Sequence, residues 1–252
     1  MSQFTFTVGN PPSLDVRVSS GRLALAPSAA GEVIIDVSGS GAEFVVVEQS
    51  GDTVSIREER RLLGGRTVNI RALVPSGTNL EAAVASLDIL ARVDLGRVVV
   101  RSASGDVNLG DVSTAEVKSA SGDVKVEFCT GRCEITAASG DVRIHRAAGD
   151  LGVSTASGDI TIERAEGRVE VKTASGDITI GSCFGASVEA TSMSGDVDLG
   201  LPEGTRVEAE IDSLSGDVVL PSRRSPNGDM DRNLKLRAKT VSGDVLVRRV
   251  PR

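Results

Sequence analysis

The sequence has almost no aromatic residues: five of its 252 residues are phenylalanine, none is tryptophan or tyrosine, and one is histidine. The chain therefore has too few aromatic residues to build platforms that stack on sugars or nucleobases, and too few histidines for a histidine metal site. No apolar run approaches the ~18 residues of a membrane-spanning helix. The first eight residues have neither the basic nor the apolar region of a signal peptide. We expect no membrane span and a cytoplasmic location.

Positive charge is also in short supply, since 28 basic residues face 35 acidic ones and give a net charge of −7. Such a chain repels nucleic acid, so we expect no nucleic-acid partner. The three cysteines, Cys129, Cys133 and Cys183, contain no Cys-x-x-Cys pair, which argues against a zinc site or a disulfide framework. We expect reduced, buried thiols and no cofactor.

A short repeat dominates the rest of the sequence. The triplet Ser-Gly-Asp, followed by Val or Ile, begins eight times, with spacings of 17, 18, 18, 18, 19, 21 and 27 residues. These triplets start at Ser104, Ser121, Ser139, Ser157, Ser175, Ser194, Ser215 and Ser242. A second glycine lies midway in several units, at Gly131, Gly149, Gly167 and Gly185. Each unit of about 18 residues therefore contains two turns.

Between the turns, apolar and polar residues alternate, as in Ile160-Thr161-Ile162, which is the period of a β-strand. A coil of two short strands cannot bury its apolar side alone, but stacked coils pair each strand with the coils above and below. The pattern predicts an all-β fold, a parallel β-solenoid of ~18-residue coils. Its inward positions would form one aliphatic ladder in chain order: Val107, Val124, Val142, Ile160, Ile178, Val197, Val218 and Val245.

The first part of the chain is less regular than the repeat. We predict an N-terminal β head or cap at residues 1–77 and the solenoid at residues 78–252, as one continuous structural unit. Two polar segments, residues 57–66 and 221–233, are predicted to be exposed loops, the second inserted between the last two repeats.

The Ser-Gly-Asp triplets are the candidate functional residues. We interpret them as structural turns, in which glycine adopts positive φ and the Asp and Ser side chains bond local backbone N–H groups. The regular members are Ser121, Gly122, Asp123, Ser139, Gly140, Asp141, Ser157, Gly158, Asp159, Ser175, Gly176 and Asp177. A row of cations along Asp123, Asp141, Asp159 and Asp177 is a weaker alternative, because one carboxylate per coil is few for a hard divalent ion.

The sequence offers no recognisable catalytic set. His145 stands alone, and no Ser/His/Asp or Cys/His arrangement can be assembled around it. We expect a solvated histidine and no enzyme. No metal, catalytic or cofactor-binding residue is predicted beyond the weak aspartate row.

Several segments resemble the bacterial putative-adhesin family of β-strand repeat proteins. They are the Thr-Ala-Ser-Gly-Asp-Ile-x-Ile units at 155–162 and 173–180, Leu-Pro-Glu-Gly-Thr at 201–205, and Val-Ser-Gly-Asp-Val at 241–245. The resemblance covers roughly residues 75–250. It implies a single-stranded right-handed β-helix, and it brings no established biochemical activity and no catalytic residues.

We therefore expect a non-enzymatic, adhesin-like scaffold or protein-binding module with an unidentified protein partner. One alternative is a carbohydrate-active enzyme on the same fold, for which a groove of convergent acids would be the sign. The repeat is also compatible with a calcium-binding protein resembling a β-roll and with a self-assembling structural β-helix protein.

Overall fold

The computed structural model describes residues 2–29, 31–59, 66–221 and 232–251. They form an all-β structure with mostly parallel pairing, and their only helix is one 3-10 turn at Ala42–Phe44. The chain divides into two compact units, residues 1–127 and 128–252. The β-solenoid predicted from the repeat is confirmed.

Strands of the first unit are short at its start and longer after residue 78. In chain order they are β1 (Ser2–Thr7), β2 (Ser13–Arg17), β3 (Ser20–Pro27), β4 (Glu32–Ser38), β5 (Val45–Ser50), β6 (Thr53–Glu58), β7 (Val68–Val74), β8 (Thr78–Ala91), β9 (Leu95–Ser104) and β10 (Val107–Ser119). Strand β11 (Val124–Cys129) contains the boundary between the units.

Parallel coils already occur within the first 77 residues. The coil made by β2 and β3 lies between the coil of β6 and β7 on one side and β8 on the other. Three pairings are antiparallel instead: β4 with β1, β4 with β7, and β5 with β6. These antiparallel strands are the part of the first unit that fits a cap. Parallel coils thus occur before residue 78, and the division into a β head at residues 1–77 and a solenoid at residues 78–252, within one continuous structural unit, stays a prediction.

The second unit contains the regular repeats. Its strands are β12 (Cys133–Ser139), β13 (Val142–Ala147), β14 (Leu151–Ser157), β15 (Ile160–Ala165), β16 (Val169–Ser175), β17 (Ile178–Cys183), β18 (Ser187–Ser194), β19 (Val197–Pro202), β20 (Thr205–Ser215), β21 (Val218–Val219), β22 (Arg232–Ser242) and β23 (Val245–Val250). Each coil uses one even-numbered strand and the odd-numbered strand that follows it.

The coils of the second unit stack in chain order until the last two, which are exchanged. Strand β22 pairs with β18 on one side and with β20 on the other, and β23 likewise lies between β19 and β21. The aliphatic ladder therefore runs from Ile178 to Val197, then to Val245, and ends at Val218. The predicted ladder is confirmed from Val142 to Val197, and its predicted order beyond Val197 is wrong.

Charge favours the exchanged order. The solvent side of β22 carries Lys235, Arg237 and Lys239, whereas β20 carries a row of acids. In the register found, Arg237 lies between Glu189 of β18 and Glu210 of β20, and its Nε bonds Glu210 Oε2 at 2.8 Å. Stacking β20 directly on β18 would instead place Glu210 against Glu189, and like charges directly opposite cost free energy on a sheet surface.

The interior is aliphatic and well covered. Val142, Ile160, Ile178, Val197 and Val245 are at most 1 % exposed, because each rests on the equivalent residue of the next coil. Branched side chains suit this arrangement because they pack closely on a pleated surface. The two loops predicted at residues 57–66 and 221–233 lie largely outside the described residues.

Candidate functional site

The glycine of each triplet makes the corner that the sequence predicts. Gly122, Gly140, Gly158 and Gly176 have φ values of 113°, 114°, 126° and 138°, which residues with a Cβ rarely adopt. Space is equally restrictive: a Cβ on Gly158 would lie 2.2 Å from the carbonyl oxygen of Gly140 in the preceding coil. The corners therefore require glycine for two independent reasons.

The aspartates of the triplets bond between coils, where we expected bonds within one turn. Asp159 N–H donates to Asp141 Oδ1 at 3.1 Å, and Asp177 N–H donates to Asp159 Oδ1 at 2.9 Å. The same bond recurs from Asp196 to Asp177 and from Asp123 to Asp106, at 2.8 and 3.0 Å. Each carboxylate thus satisfies a backbone donor of the following coil, where the strand pairing is interrupted by the corner.

The serines and threonines near the corner add a second set of bonds that the sequence analysis missed. Thr155 Oγ1 donates to the carbonyl oxygen of Ser157 at 3.0 Å, and Ser119 Oγ donates to that of Ser121 at 3.0 Å. Ser139, Ser157 and Ser175 stand opposite one another in register. In most repeats, the residue two positions before the triplet serine is Ser or Thr. This regularity could have predicted the bonds from the sequence.

The aspartate row carries no sign of a cation site. Among the described residues no three His, Cys, Asp or Glu side chains are grouped closely enough to hold a metal ion. Asp141 has a cationic neighbour of its own, since its Oδ2 lies 2.9 Å from Arg143 Nη2. The geometry of Asp123, Asp141, Asp159 and Asp177 favours the structural interpretation of the row.

His145 is exposed, and its Nδ1 lies 2.6 Å from Glu163 Oε2. In the first unit, an open groove of about 540 Å³ is lined in part by Asp94, Asp111 and Glu127. Glu127 is engaged by Lys125, whose Nζ lies 2.7 Å from Glu127 Oε1. Because three acids line it, this groove is a candidate place for the enzyme alternative.

The carboxyl groups with clearly shifted pKa values are shifted in the direction opposite to that of a general acid. A hydrogen bond from Lys118 lowers the pKa of Glu116, and one from Lys172 lowers the pKa of Glu170. General acids at neutral pH need raised values. Both glutamates belong to surface ion pairs.

All three cysteines are buried and free, as expected. A hydrogen bond with Cys129 and burial raise the pKa of the Cys133 thiol far above its ordinary range. Burial raises the pKa of Cys183 to about 11. A nucleophilic cysteine needs a lowered pKa and access to solvent, so these thiols are unsuited to covalent catalysis.

A surface cluster of arginine and phenylalanine was missed by the sequence analysis. The guanidinium of Arg146 lies 4.8 Å from the ring centroid of Phe128, and that of Arg164 lies 4.1 Å from Phe184. Both arginines bond Glu166 Oε1 at 2.9 Å, and these bonds, that of Arg164 foremost, lower the pKa of Glu166. The 18-residue spacing of Phe128, Arg146 and Arg164 was the signal.

The outermost coil of the second unit exposes apolar side chains. Leu214, Val219 and Leu220 are 83, 52 and 54 % exposed. Met193 and Val241, in the two coils before it, continue the solvent-facing row that ends at Leu214. In earlier coils the same row contains only alanines, at residues 138, 156 and 174. Large exposed apolar groups are thus concentrated at one end, which is typical of a contact surface.

In the part of the chain that the structure describes, no helix has the length and apolar character needed to cross a membrane. No curated protein matches the sequence. Among solved structures, the chain is similar to a "putative adhesin" from Bacteroides fragilis, with 13 % identity, a TM-score of 0.49 and coverage of 98 % of this chain and 96 % of that one.

It is also similar to a "putative lipid binding protein" from Parabacteroides distasonis, with 14 % identity, a TM-score of 0.42 and coverage of 99 % of this chain and 95 % of that one. A "putative adhesin" from Parabacteroides merdae has 9 % identity, a TM-score of 0.39 and coverage of 99 % of this chain and 94 % of that one. A family model described as Toastrack DUF4097 matches residues 12–250, nearly the whole chain. The chain belongs to the Toastrack DUF4097 family.

Proposed function

We propose that this chain is a non-enzymatic scaffold that binds a protein partner through the outermost coil of its second unit, β20 and β21. The observation that carries the proposal is the apolar surface there. Leu214 and Val219 lie on one coil and are 83 and 52 % exposed. Aliphatic groups held on hydrogen-bonded strands lose little entropy when a partner covers them.

The chemistry of the remaining surface supports a binding role. The glutamates with clearly lowered pKa values lie in ion pairs, the thiols are buried, and His145 Nδ1 lies against Glu163 Oε2. None of these arrangements activates a nucleophile or supplies a general acid. The function is therefore proposed to reside in surface shape and apolar contact.

Affinity capture with the full chain tests this proposal. Immobilised wild type, a Leu214→Ser/Val219→Ser variant and an Ala156→Ser/Ala174→Ser control are exposed to extract from the native cells. A partner at this surface is retained by wild type and the control and lost by the first variant. Its affinity for the three purified proteins should follow the same order, with a loss of about tenfold or more for the first variant.

Equal retention by all three proteins would contradict the assignment of the surface. Hydrolysis of a polysaccharide by the pure protein, abolished by Asp111→Asn or Glu127→Gln, would replace the proposal with the enzyme alternative. The cytoplasmic location predicted from the sequence has no support in the structure or in the similar proteins, and it stays a prediction that fractionation of native cells tests.

A further inference from the structure

The outer edge of β20 has backbone groups that no strand of the described residues pairs with. Lys235 N–H donates to Ala186, on the side of β22 away from β20. Because successive residues of a strand point their N–H and C=O groups to opposite sides, Leu234, Leu236 and Ala238 direct theirs towards β20.

In a parallel ladder, the groups of Leu236 bond the residues that flank its partner Ala209, which are Glu208 and Glu210. The N–H and C=O groups of Val207, Ala209 and Ile211 consequently point to the open side. Such an edge is a template for an added strand.

The inward side chains of this coil are also left half covered. Val207 and Ile211 are partly exposed and Ala209 is exposed, although their partners Leu234, Leu236 and Ala238 in β22 are at most 1 % exposed. An additional coil or strand with aliphatic residues at alternate positions would extend the same core by one layer.

At the centre of this face, charge on the solvent side alternates from strand to strand. Glu189 in β18 is followed by Arg237 in β22 and by Glu210 in β20. Asp212 lies 3.3 Å from Lys239 in the same way. Glu210 and Asp212 remain 54 and 65 % exposed, so a strand added beyond β20 would meet a row of acids.

A second copy of β20 does not fit this edge. Antiparallel pairing centred on Glu210 would place Glu210 against its own copy and Glu208 against Asp212, and like charges directly opposite destabilise a sheet. The fitting partner has basic residues where β20 has acids. Strand β22, which already fits the other edge of β20, is an example of that sequence pattern.

We propose that the outer edge of β20 binds an extended strand of a partner protein in which lysine or arginine alternates with aliphatic residues. This inference rests on the proposed function and names the chemistry of its partner. Backbone bonds to Val207, Ala209 and Ile211 give affinity, and the acids Glu208, Glu210 and Asp212 select the basic residues.

The probe is a labelled peptide with the sequence of residues 233–241, Asn-Leu-Lys-Leu-Arg-Ala-Lys-Thr-Val. Its binding to the full chain is measured by fluorescence anisotropy, beside a peptide in which the three basic residues are glutamate. In Ala209→Pro the ring removes an N–H on the open side and spares the ladder with β22, whereas Ala209→Val keeps that N–H. We expect the basic peptide to bind wild type and Ala209→Val equally well. Its affinity for Ala209→Pro should be lower by about tenfold or more.

Two peptides with N-methyl groups on alternate residues test the edge without altering the protein. One of them blocks the peptide edge that faces β20 and should not bind, while the other should bind as the parent does. Equal binding by both, or unchanged binding to Ala209→Pro, would overturn strand addition. Equal binding of the glutamate peptide would overturn the charge assignment.

A wild-type dimer that becomes monomeric in Ala209→Pro would assign the edge to a second copy and overturn the proposal. A captured partner that depends on Leu214 and Val219 but not on Ala209 would leave the proposed function standing and remove only the strand addition.

Discussion

The aspartate row combines two opposing effects that one pair of variants can separate. Asp159 accepts a hydrogen bond from Asp177 N–H at 2.9 Å, and it also stands between the carboxylates of neighbouring coils. Asp159→Asn removes the charge and keeps an oxygen that accepts the bond. Asp159→Ala removes both, so the difference between the two variants reports the hydrogen bond alone.

The two effects are similar in size. A net hydrogen bond contributes about 1 kcal/mol. Carboxylates one coil apart are separated by ~4.8 Å, where two unit charges repel by about 0.9 kcal/mol in water and roughly half of that in physiological salt. With neighbours on both sides, Asp159 experiences about 1 kcal/mol of repulsion. Asp159→Ala should therefore be close to wild type, and Asp159→Asn about 1 kcal/mol more stable than Asp159→Ala.

Urea unfolding followed by far-ultraviolet circular dichroism measures these differences, because the chain has no tryptophan for fluorescence. Amide exchange at Asp177 gives a local measure, which should be about fivefold faster in Asp159→Ala than in Asp159→Asn. Raising the salt concentration should bring Asp159→Asn and wild type together while leaving the two variants apart. Equal stability of the variants, with equal exchange at Asp177, would refute the intercoil hydrogen bond as a stabilising element.

Three further predictions concern the corner glycines, the buried thiol of Cys183 and the aspartate row. Gly158→Ala should cost more than about 3 kcal/mol of unfolding free energy, since its φ is +126° and its Cβ would meet a backbone oxygen at 2.2 Å. The control Gly51→Ala, with φ of +58° and no atom within 4 Å, should cost only about 1 kcal/mol, and equal losses in urea would contradict the close-packing argument. Because burial raises the pKa of Cys183 from 9.0 to about 11, the protonated thiol stabilises the fold below pH 9 and that contribution is lost between pH 9 and 11. The advantage of wild type over Cys183→Ala in urea should fall across that window, and a flat difference would show that the thiol is not desolvated. Millimolar calcium or chelator should leave the melting temperature unchanged, whereas a rise of several degrees that is lost in Asp159→Asn with Asp177→Asn would establish a cation row.

The repeat allowed the stacking register to be predicted because its chemistry is strict. Only glycine accepts the corner at Gly158, and a shift of one residue would turn Ile160 from the core to solvent. The coils could therefore be placed in phase from the sequence alone. The partner of each aspartate could not, since the same triplet is equally compatible with a local bond and with an intercoil bond.

The order of the last two coils escaped prediction for a similar reason. Val218 and Val245 follow the same triplet, so the ladder accepts them in either order. The distinction lies in the strands before the triplets, where Lys235, Arg237 and Lys239 face the acids of β20, and Arg237 also faces Glu189 of β18. That signal depends on pairs of strands and becomes visible only when the solvent-facing residues of all coils are compared.

The exchanged order also has a consequence for how the chain folds during synthesis. Strand β20 leaves the ribosome before β22, yet its neighbour on the inner side is β22. Until residues 232–250 have emerged, β18 has only its inner partner β16, and β20 lacks the strand that it pairs with among the described residues. The contacts of β20 with β22 can therefore form only after the later coil has been synthesised, and we expect them to form late in folding.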